Sequence, residues 1–230
     1  DAVREAIRPR SAHAPRSRLL VTEQTSNLGG GAIWPRDQLS AVADVAREAG
    51  LATHLDGARI LNASVATGIP PQDYARGYDS AWIAFTKGLG CPVGAVLAGS
   101  KAFIEEAWLF KRRWGGAMRQ TGVLAAMCLY ALDHHVERLS EDHAVAALIG
   151  DGLRDNRLFG AVDPVDTNIV LAALADGVPD APEIGKRLRE KGFRATVVGR
   201  RRLRMVTHMH VDAEDARALL LALEAIAAEV

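Results

Sequence analysis

Cysteine is scarce in this chain of 230 residues: only Cys91 and Cys128 occur, and their spacing matches neither a metal cluster nor a redox pair. No disulfide framework is needed, and a reducing, cytoplasmic setting is the default expectation. A surplus of charge is missing too. The 28 basic and 28 acidic side chains cancel, so no long-range field draws the protein to nucleic acid or an acidic membrane. No stretch reaches the roughly 18 to 20 consecutive apolar residues of a membrane span, and DAVREAIRPR at the start has no apolar signal core. Position 1 is Asp, not Met, so the expectation is a processed end or the interior of a longer gene product.

What is present is ordinary globular material, 49% hydrophobic and 24% charged, enough to bury a substantial core. RLLVTEQ at 18–24 has strand length and is broken by the Gly29-Gly30-Gly31 run. Pro35 opens a helical pattern with Leu39, Val42 and Ala46 on one face and Gly50 as its stop. LATHL predicts a second strand. The unit then recurs, with a helix near 58–67 and strands at SAWIAFT and VGAVLAG, which is the signature of a parallel sheet covered by helices. Residues 100–150 are helical in pattern, with one long stretch from Arg119 through His135. After Asp151 come TNIVLAAL, a helix at APEIGKRLREKG, strands around RATVV and RLRMVTH, and an amphipathic helix from Asp212. The expected division is a large α/β domain at 1–135 and a smaller C-terminal α+β domain at 136–230.

Ligands of an open parallel sheet gather outside the carboxyl ends of its strands. Two short words fall there: HLDGAR, whose Asp56 follows LATHL, and FTKGLG, whose Lys87 follows SAWIAFT. A lysine flanked by Gly88 and Gly90 can form an imine with an aldehyde cofactor. An aspartate facing it can hold a proton on a pyridine nitrogen, and Arg59 can steady an oxygen on the same ring. Spacing alone leaves a plainer reading open: Asp-Gly after a strand is most often a turn, and a lysine among glycines is usually a solvated loop residue.

The wording narrows this. LLVTEQTSNLGGG, HLDGARILNAS, TKGLGCPVGAVLAGS, WGGAMRQTGVLAA, DTNIV and LRMVTH occur in the order and at roughly the intervals of the threonine aldolase and β-eliminating lyase family, which the chain resembles over nearly its whole length. The resemblance implies a partial pyridoxal phosphate (PLP) fold-type I protein, aspartate-aminotransferase-like, built on a parallel-sheet large domain. It makes Lys87 the Schiff-base lysine, Asp56 the partner of the pyridine nitrogen and Arg59 the residue beside the ring hydroxyl. It gives Arg204 the substrate α-carboxylate, a task suited to a bidentate guanidinium. Arg119 and Arg112 correspond to basic positions offered to the cofactor phosphate of a neighbouring subunit, which implies a homodimer or homotetramer.

Two departures stand out. Family members commonly read ENTHN where this chain reads Glu23-Gln24-Thr25-Ser26-Asn27, so Ser26 replaces a histidine near the substrate β-hydroxyl, and serine is a poor general base. Family chains also carry roughly a hundred earlier residues, with a phosphate-cradling glycine loop and a ring-stacking aromatic, that find no counterpart here. The implied reaction is retro-aldol cleavage of L-threonine or a related L-β-hydroxy-α-amino acid to glycine and an aldehyde. β-Elimination or dehydration on the same cofactor, and an inactive fragment, are the alternatives.

Other constellations have plainer readings. His208 and His210 alternate along an expected strand and so share a face, but no third ligand accompanies them and no metal site is expected. His134, His135 and His143 lie on helical stretches, where surface or satisfied positions suffice. His54, two residues before Asp56, shares its face and suits a supporting role. Arg200-Arg201-Arg202 reads as a solvated turn with only Arg204 functional; Met118, Met127 and the tryptophans read as core or subunit interface. Cys91 lies either near the cofactor or in small-residue packing.

Overall fold

The structure is a computed structural model and describes residues 1–9 and 11–230. The chain divides into two compact units, Asp1–Thr25 with Trp34–Asp133, and Ser26–Ile33 with His134–Val230.

The first unit runs α1 (Ala2–Ala6), β1 (Leu19–Glu23), α2 (Arg36–Glu48), β2 (Ala52–Asp56), α3 (Ile60–Thr67), α4 (Pro71–Ala75), β3 (Ser80–Ala84), β4 (Ala95–Gly99), α5 (Lys101–Arg113) and α6 (Gly122–His134), the last ending at the division. Its sheet has the order β1-β2-β3-β4. The first three strands are parallel, as the strand-helix-strand rhythm predicts, but β4 is antiparallel to β3. Only residues 85–94 join these two strands, too few for the crossover of a dozen or more that a parallel neighbour requires. In α2 the buried stripe is Leu39, Ala43 and Ala46, with Val42 half-buried beside it. The helix gives way at Gly50, whose φ of 67° is one that L side chains rarely adopt.

The second unit runs α7 (Leu139–Arg154), β5 (Phe159–Val162), β6 (Ile169–Leu174), α8 (Ala181–Glu190), β7 (Thr196–Val198), β8 (Arg202–Val206) and α9 (Ala213–Ala228). Its antiparallel sheet has the order β5-β6-β8-β7. β5 escapes the sequence pattern because its four residues contain Gly160 and a register shift, leaving no periodicity to read. Ile149, Leu153, Val170, Ala172, Leu203 and Leu223 form the centre of a continuous core. α8 and α9 start where their aspartates allow. Asp180 accepts from Glu183 N, and Asp212 and Asp215 form a reciprocal capping box.

Candidate cofactor and substrate sites

In the first unit β1 and β2 end level with one another, while β3 runs two residues further, to Ala84. Glu23 is in register with Asp56, and Asp56 with Trp82. Beyond that edge, Gln24 N donates to Asp56 O at 2.8 Å, and Arg59 N donates to Gln24 O at 3.2 Å. The Asp56 carboxylate accepts from Ala58 N at 3.0 Å, which fixes its direction at the strand end. Between them Gly57 is obligatory. Its N–H donates to Trp82 O at 2.9 Å, and a Cβ there would stand 2.5 Å from that same oxygen. Arg59 is the N-cap of α3.

Lys87 follows β3 as expected, half-buried in the turn closed by Gly90 N donating to Lys87 O at 2.9 Å. Its Nζ lies over the Trp82 ring, 5.3 Å from the centroid, within cation–π range. Trp82 was grouped in the sequence with core and interface tryptophans; its position five residues before the lysine, on the strand that leads to it, was the signal available. Gln24 and Thr25 were also passed over. Gln24 is fully buried and its amide holds both backbone groups of Trp34, accepting from the N–H at 3.1 Å and donating to the carbonyl at 3.2 Å. Thr25, 1% exposed, has a buried Oγ1 with no hydrogen-bond partner among the described residues.

His54, on the face of Asp56, exchanges a hydrogen bond with Ser80 Oγ at 2.8 Å. Burial pushes its imidazole below the usual range, against the pull of the Asp56 carboxylate, so it is neutral at physiological pH. Cys91 is buried, its Sγ 3.7 Å from Met127 O. Burial and then the nearby Cys128 push its thiol up, which fits packing and argues against a nucleophile. Arg112 and Arg119 are both exposed, the first in the last turn of α5 and the second in the loop before α6.

The second unit holds Arg204 on β8, where its guanidinium donates to Asn27 Oδ1 at 2.5 Å. Asn27 belongs to the short loop Ser26–Ile33, which is tied to this unit by Ile33 N donating to Asp166 and Thr167 Oγ1 donating to Gly31 O at 2.8 Å. Ser26 closes that loop through Ala32 O at 3.0 Å and Gly31 N at 2.8 Å, and its side chain packs against Gly29. Asn27 was not singled out in the sequence, although it stands in the same EQTSN word.

Three sequence expectations are corrected. His208 and His210 do not alternate along a strand, because β8 ends at Val206 and the chain turns; their rings meet edge to face at 5.6 Å, and no group of three metal-ligating side chains exists among the described residues. The arginine run is a turn only as far as Arg201, and only part of it is solvated. Arg202 belongs to β8 and pairs with Asp163, while Arg201 donates to the carbonyls of Val178, at 3.0 Å, and Ala175; only Arg200 is solvated. Met118, Met127, Trp108 and Trp114 are exposed, which removes them from the core and leaves the subunit-interface half of that reading.

A family model described as β-eliminating lyase matches residues 1–177. The low-specificity L-threonine aldolase of Escherichia coli K12 is 38% identical over 218 residues, 94% of this chain and 62% of that protein. Low-specificity L-threonine aldolase 1 of Arabidopsis thaliana is 36% identical over 221 residues, 94% of this chain and 61% of that protein. The chain thus spans about three fifths of the length of these curated relatives. Among solved structures, a Leishmania major threonine aldolase superposes with a TM-score of 0.75 at 19% identity, covering 95% of this chain and 64% of that one. A Thermus thermophilus aspartate aminotransferase gives 0.72 at 20%, covering 97% and 62%. The fold is that of the PLP fold-type I enzymes.

Proposed function

Because this chain belongs to the β-eliminating lyase family, we propose that it is part of a PLP-dependent aldolase cleaving L-threonine or a related L-β-hydroxy-α-amino acid to glycine and an aldehyde. The observation that carries this is that Asp56 is the last residue of β2 and Lys87 follows closely on the end of the adjacent parallel strand β3.

The residues present fit such a cofactor. The site offers an amine for the aldehyde, a carboxylate for the ring nitrogen and the unpartnered buried hydroxyl of Thr25 at the same strand edge. Bound PLP supplies an electron sink for the pair released when the substrate Cα–Cβ bond breaks. Asp56, held by Ala58 N, keeps the proton on the ring nitrogen that makes the sink effective. Lys87 presents Nζ to the aldehyde carbon and yields that place to the substrate amine. Neutral His54 on the face of Asp56 adds no positive charge that would weaken the carboxylate's hold on the proton. Arg59 takes the ring hydroxyl. Arg204, oriented by Asn27, takes the substrate α-carboxylate. The β-hydroxyl proton leaves as the aldehyde forms, and Ser26 is too weak a base to take it alone at neutral pH, so either water relays it, another group takes it, or the preferred substrate differs from threonine.

Arg112 and Arg119, both exposed, are assigned to the cofactor phosphate of a neighbouring subunit, which makes the working form a homodimer or homotetramer. Both cysteines are free and no described helix is long and apolar enough to cross a membrane; the proposal places the enzyme in the cytoplasm, without a nucleic-acid partner.

Titration with PLP tests the reading. A visible absorption band is expected that disappears in Lys87→Ala, with turnover falling by orders of magnitude, whereas Asp56→Asn should still bind but react poorly. A band or turnover that survives in Lys87→Ala overturns it. The Ser26 replacement favours one second reading, β-elimination: glycine plus an aldehyde supports the aldolase, and a keto acid plus ammonia supports elimination.

A further inference from the structure

The only two cysteines of the sequence meet in the first unit. Cys91 lies in the stretch 85–94 that joins β3 to β4 and carries Lys87, and Cys128 lies on α6. Each sulfur rests against the backbone beside the other cysteine. Cys91 Sγ is 3.7 Å from Met127 O, and Cys128 Sγ is 3.7 Å from Val93 O. The two thiols are also within hydrogen-bonding distance of one another. Gly94 permits this approach, since a Cβ there would stand 2.9 Å from Cys128 Sγ. Backbone bonds close the same stretch around the lysine: Gly90 N donates to Lys87 O at 2.9 Å, Cys91 N to Phe85 O at 3.0 Å and Phe85 N to Gly94 O at 3.0 Å. The Cys128 sulfur is thus directed at the stretch that carries Lys87 and not at the exposed side of α6, so a cover over that side would not separate the pair.

We propose that Cys91 and Cys128 are a reversible oxidation site: a two-electron oxidant of the hydroperoxide class joins their sulfurs, and the disulfide ties the Lys87 turn to α6. Hydrogen-bonded sulfurs need to close by only about 2 Å to reach bonding distance. Disulfides of a reducing compartment are of this transient, redox-sensing kind. Cys128 is the attacking thiol, because it is the more exposed of the two and burial disfavours the thiolate of Cys91. Its sulfur attacks one oxygen of hydrogen peroxide, and the O–O bond breaks to leave Cys128 sulfenic acid and hydroxide. The Cys91 sulfur then attacks the Cys128 sulfur, and the S–OH bond breaks with loss of a second hydroxide. The two thiol protons turn both hydroxides into water; the sulfurs lose two electrons and the peroxide gains them. A thiol reductant reverses the step by exchange. Closing the bond draws Cys91 out of the turn geometry that holds Lys87 over Trp82, and small displacements of a reacting group are costly. The disulfide and a cofactor-loaded Lys87 therefore oppose one another, each weakening the other by the same factor. That consequence rests on the reading of Lys87 as the cofactor lysine; the disulfide itself does not.

Hydrogen peroxide added to the reduced 230-residue chain, followed by thiol titration and intact mass, tests the site. Loss of both thiols and of two hydrogens within one chain is expected in the wild type, and in neither Cys91→Ser nor Cys128→Ser. The reaction should be at least about tenfold slower in urea, where the fold no longer holds the sulfurs together. Thiols that survive, that oxidise to sulfinic acid or that pair between chains overturn the site, as does an equal rate in urea. Hydrogen exchange at the Gly90 and Cys91 amides should change on oxidation and revert with dithiothreitol; unchanged exchange overturns the tether on the Lys87 turn. After removal of the peroxide, the oxidised chain should bind PLP about tenfold more weakly than the reduced one, and both serine variants should be indifferent to the treatment. Equal affinity in the two states overturns the opposition between disulfide and cofactor. A reduced chain that gives no PLP band overturns the cofactor reading, while the disulfide is decided by mass and exchange alone.

Discussion

β4 reads AVLAG and β6 reads IVLAAL, nearly the same apolar text, yet β4 is exposed at every residue while β6 buries five of six. The difference lies in their neighbours. β6 is hydrogen-bonded on both edges, by β5 and β8; its Val170, Ala172 and Leu174 belong to a core shared with α7, α8 and α9, and Ile169 and Leu171 pack against Gly31 and Gly30. β4 is paired on one edge only, and the helix that follows it buries nothing. A continuous apolar run is the mark of a strand that can be covered on both faces, and the same kind of text is therefore buried in β6 and open in β4 according to the neighbours each has.

The sharpest way to break that comparison is to truncate one strand residue on each side. Leu171→Ala in β6, at a site 1% exposed, should cost about 2–5 kcal/mol. Val96→Ala in β4, 52% exposed, should stay within about 0.5 kcal/mol. Equal shifts in urea midpoints would mean that β4 is covered in solution and the contrast false.

Two glycines sharpen the same point. At Gly57 an added Cβ meets backbone, the Trp82 carbonyl, so Gly57→Ala should destabilise the first unit by about 1–3 kcal/mol and weaken the PLP-dependent band. At Gly152 in α7 the Cβ meets the end of the flexible Leu220 side chain, and the gain in helix propensity of up to about 1 kcal/mol offsets the crowding. Gly152→Ala that costs as much as Gly57→Ala would show that the second unit is the stiffer one at that point.

The smallest effect is in pH. Burial pushes both His54, in the first unit, and His143, in the second, below the ordinary imidazole range, with Asp56 and Asp142 respectively acting the other way. Below the ordinary pKa of about 6.5 the unfolded chain takes up protons that the folded chain refuses, so stability must fall on acidification in that window. Denaturation midpoints should drop between pH 7.5 and 5.5, less in His54→Gln with His143→Gln than in the wild type. An unchanged drop in the double variant would remove these two groups as its cause.

Much of the architecture was legible because it is written in local chemistry. Alternating strand and helix patterns announced β1, α2, β2, α3 and β3, and placed Asp56 and Lys87 at strand ends. Pro35, Gly50 and Asp212 marked helix boundaries through φ preferences and caps that act within a few residues. What stayed hidden depends on partners far away in sequence. Arg202 read as solvated because its ion pair with Asp163 spans 39 positions. The orienting bond of Arg204 to Asn27 spans 177. THMH read as strand because its composition allows one, while the ladder stops at Val206.

By itself, then, the sequence determined the order and type of most elements and offered the amine, carboxylate and guanidinium groups proposed for the site, since dihedral preference, periodicity and side-chain chemistry are local. Only the tertiary structure decided that β4 runs antiparallel, that Trp82 lies beneath Lys87, that Thr25 is buried with an unpartnered hydroxyl and that α5 faces water. Each of those depends on which surfaces meet, and a surface is assembled from residues that the chain order keeps apart.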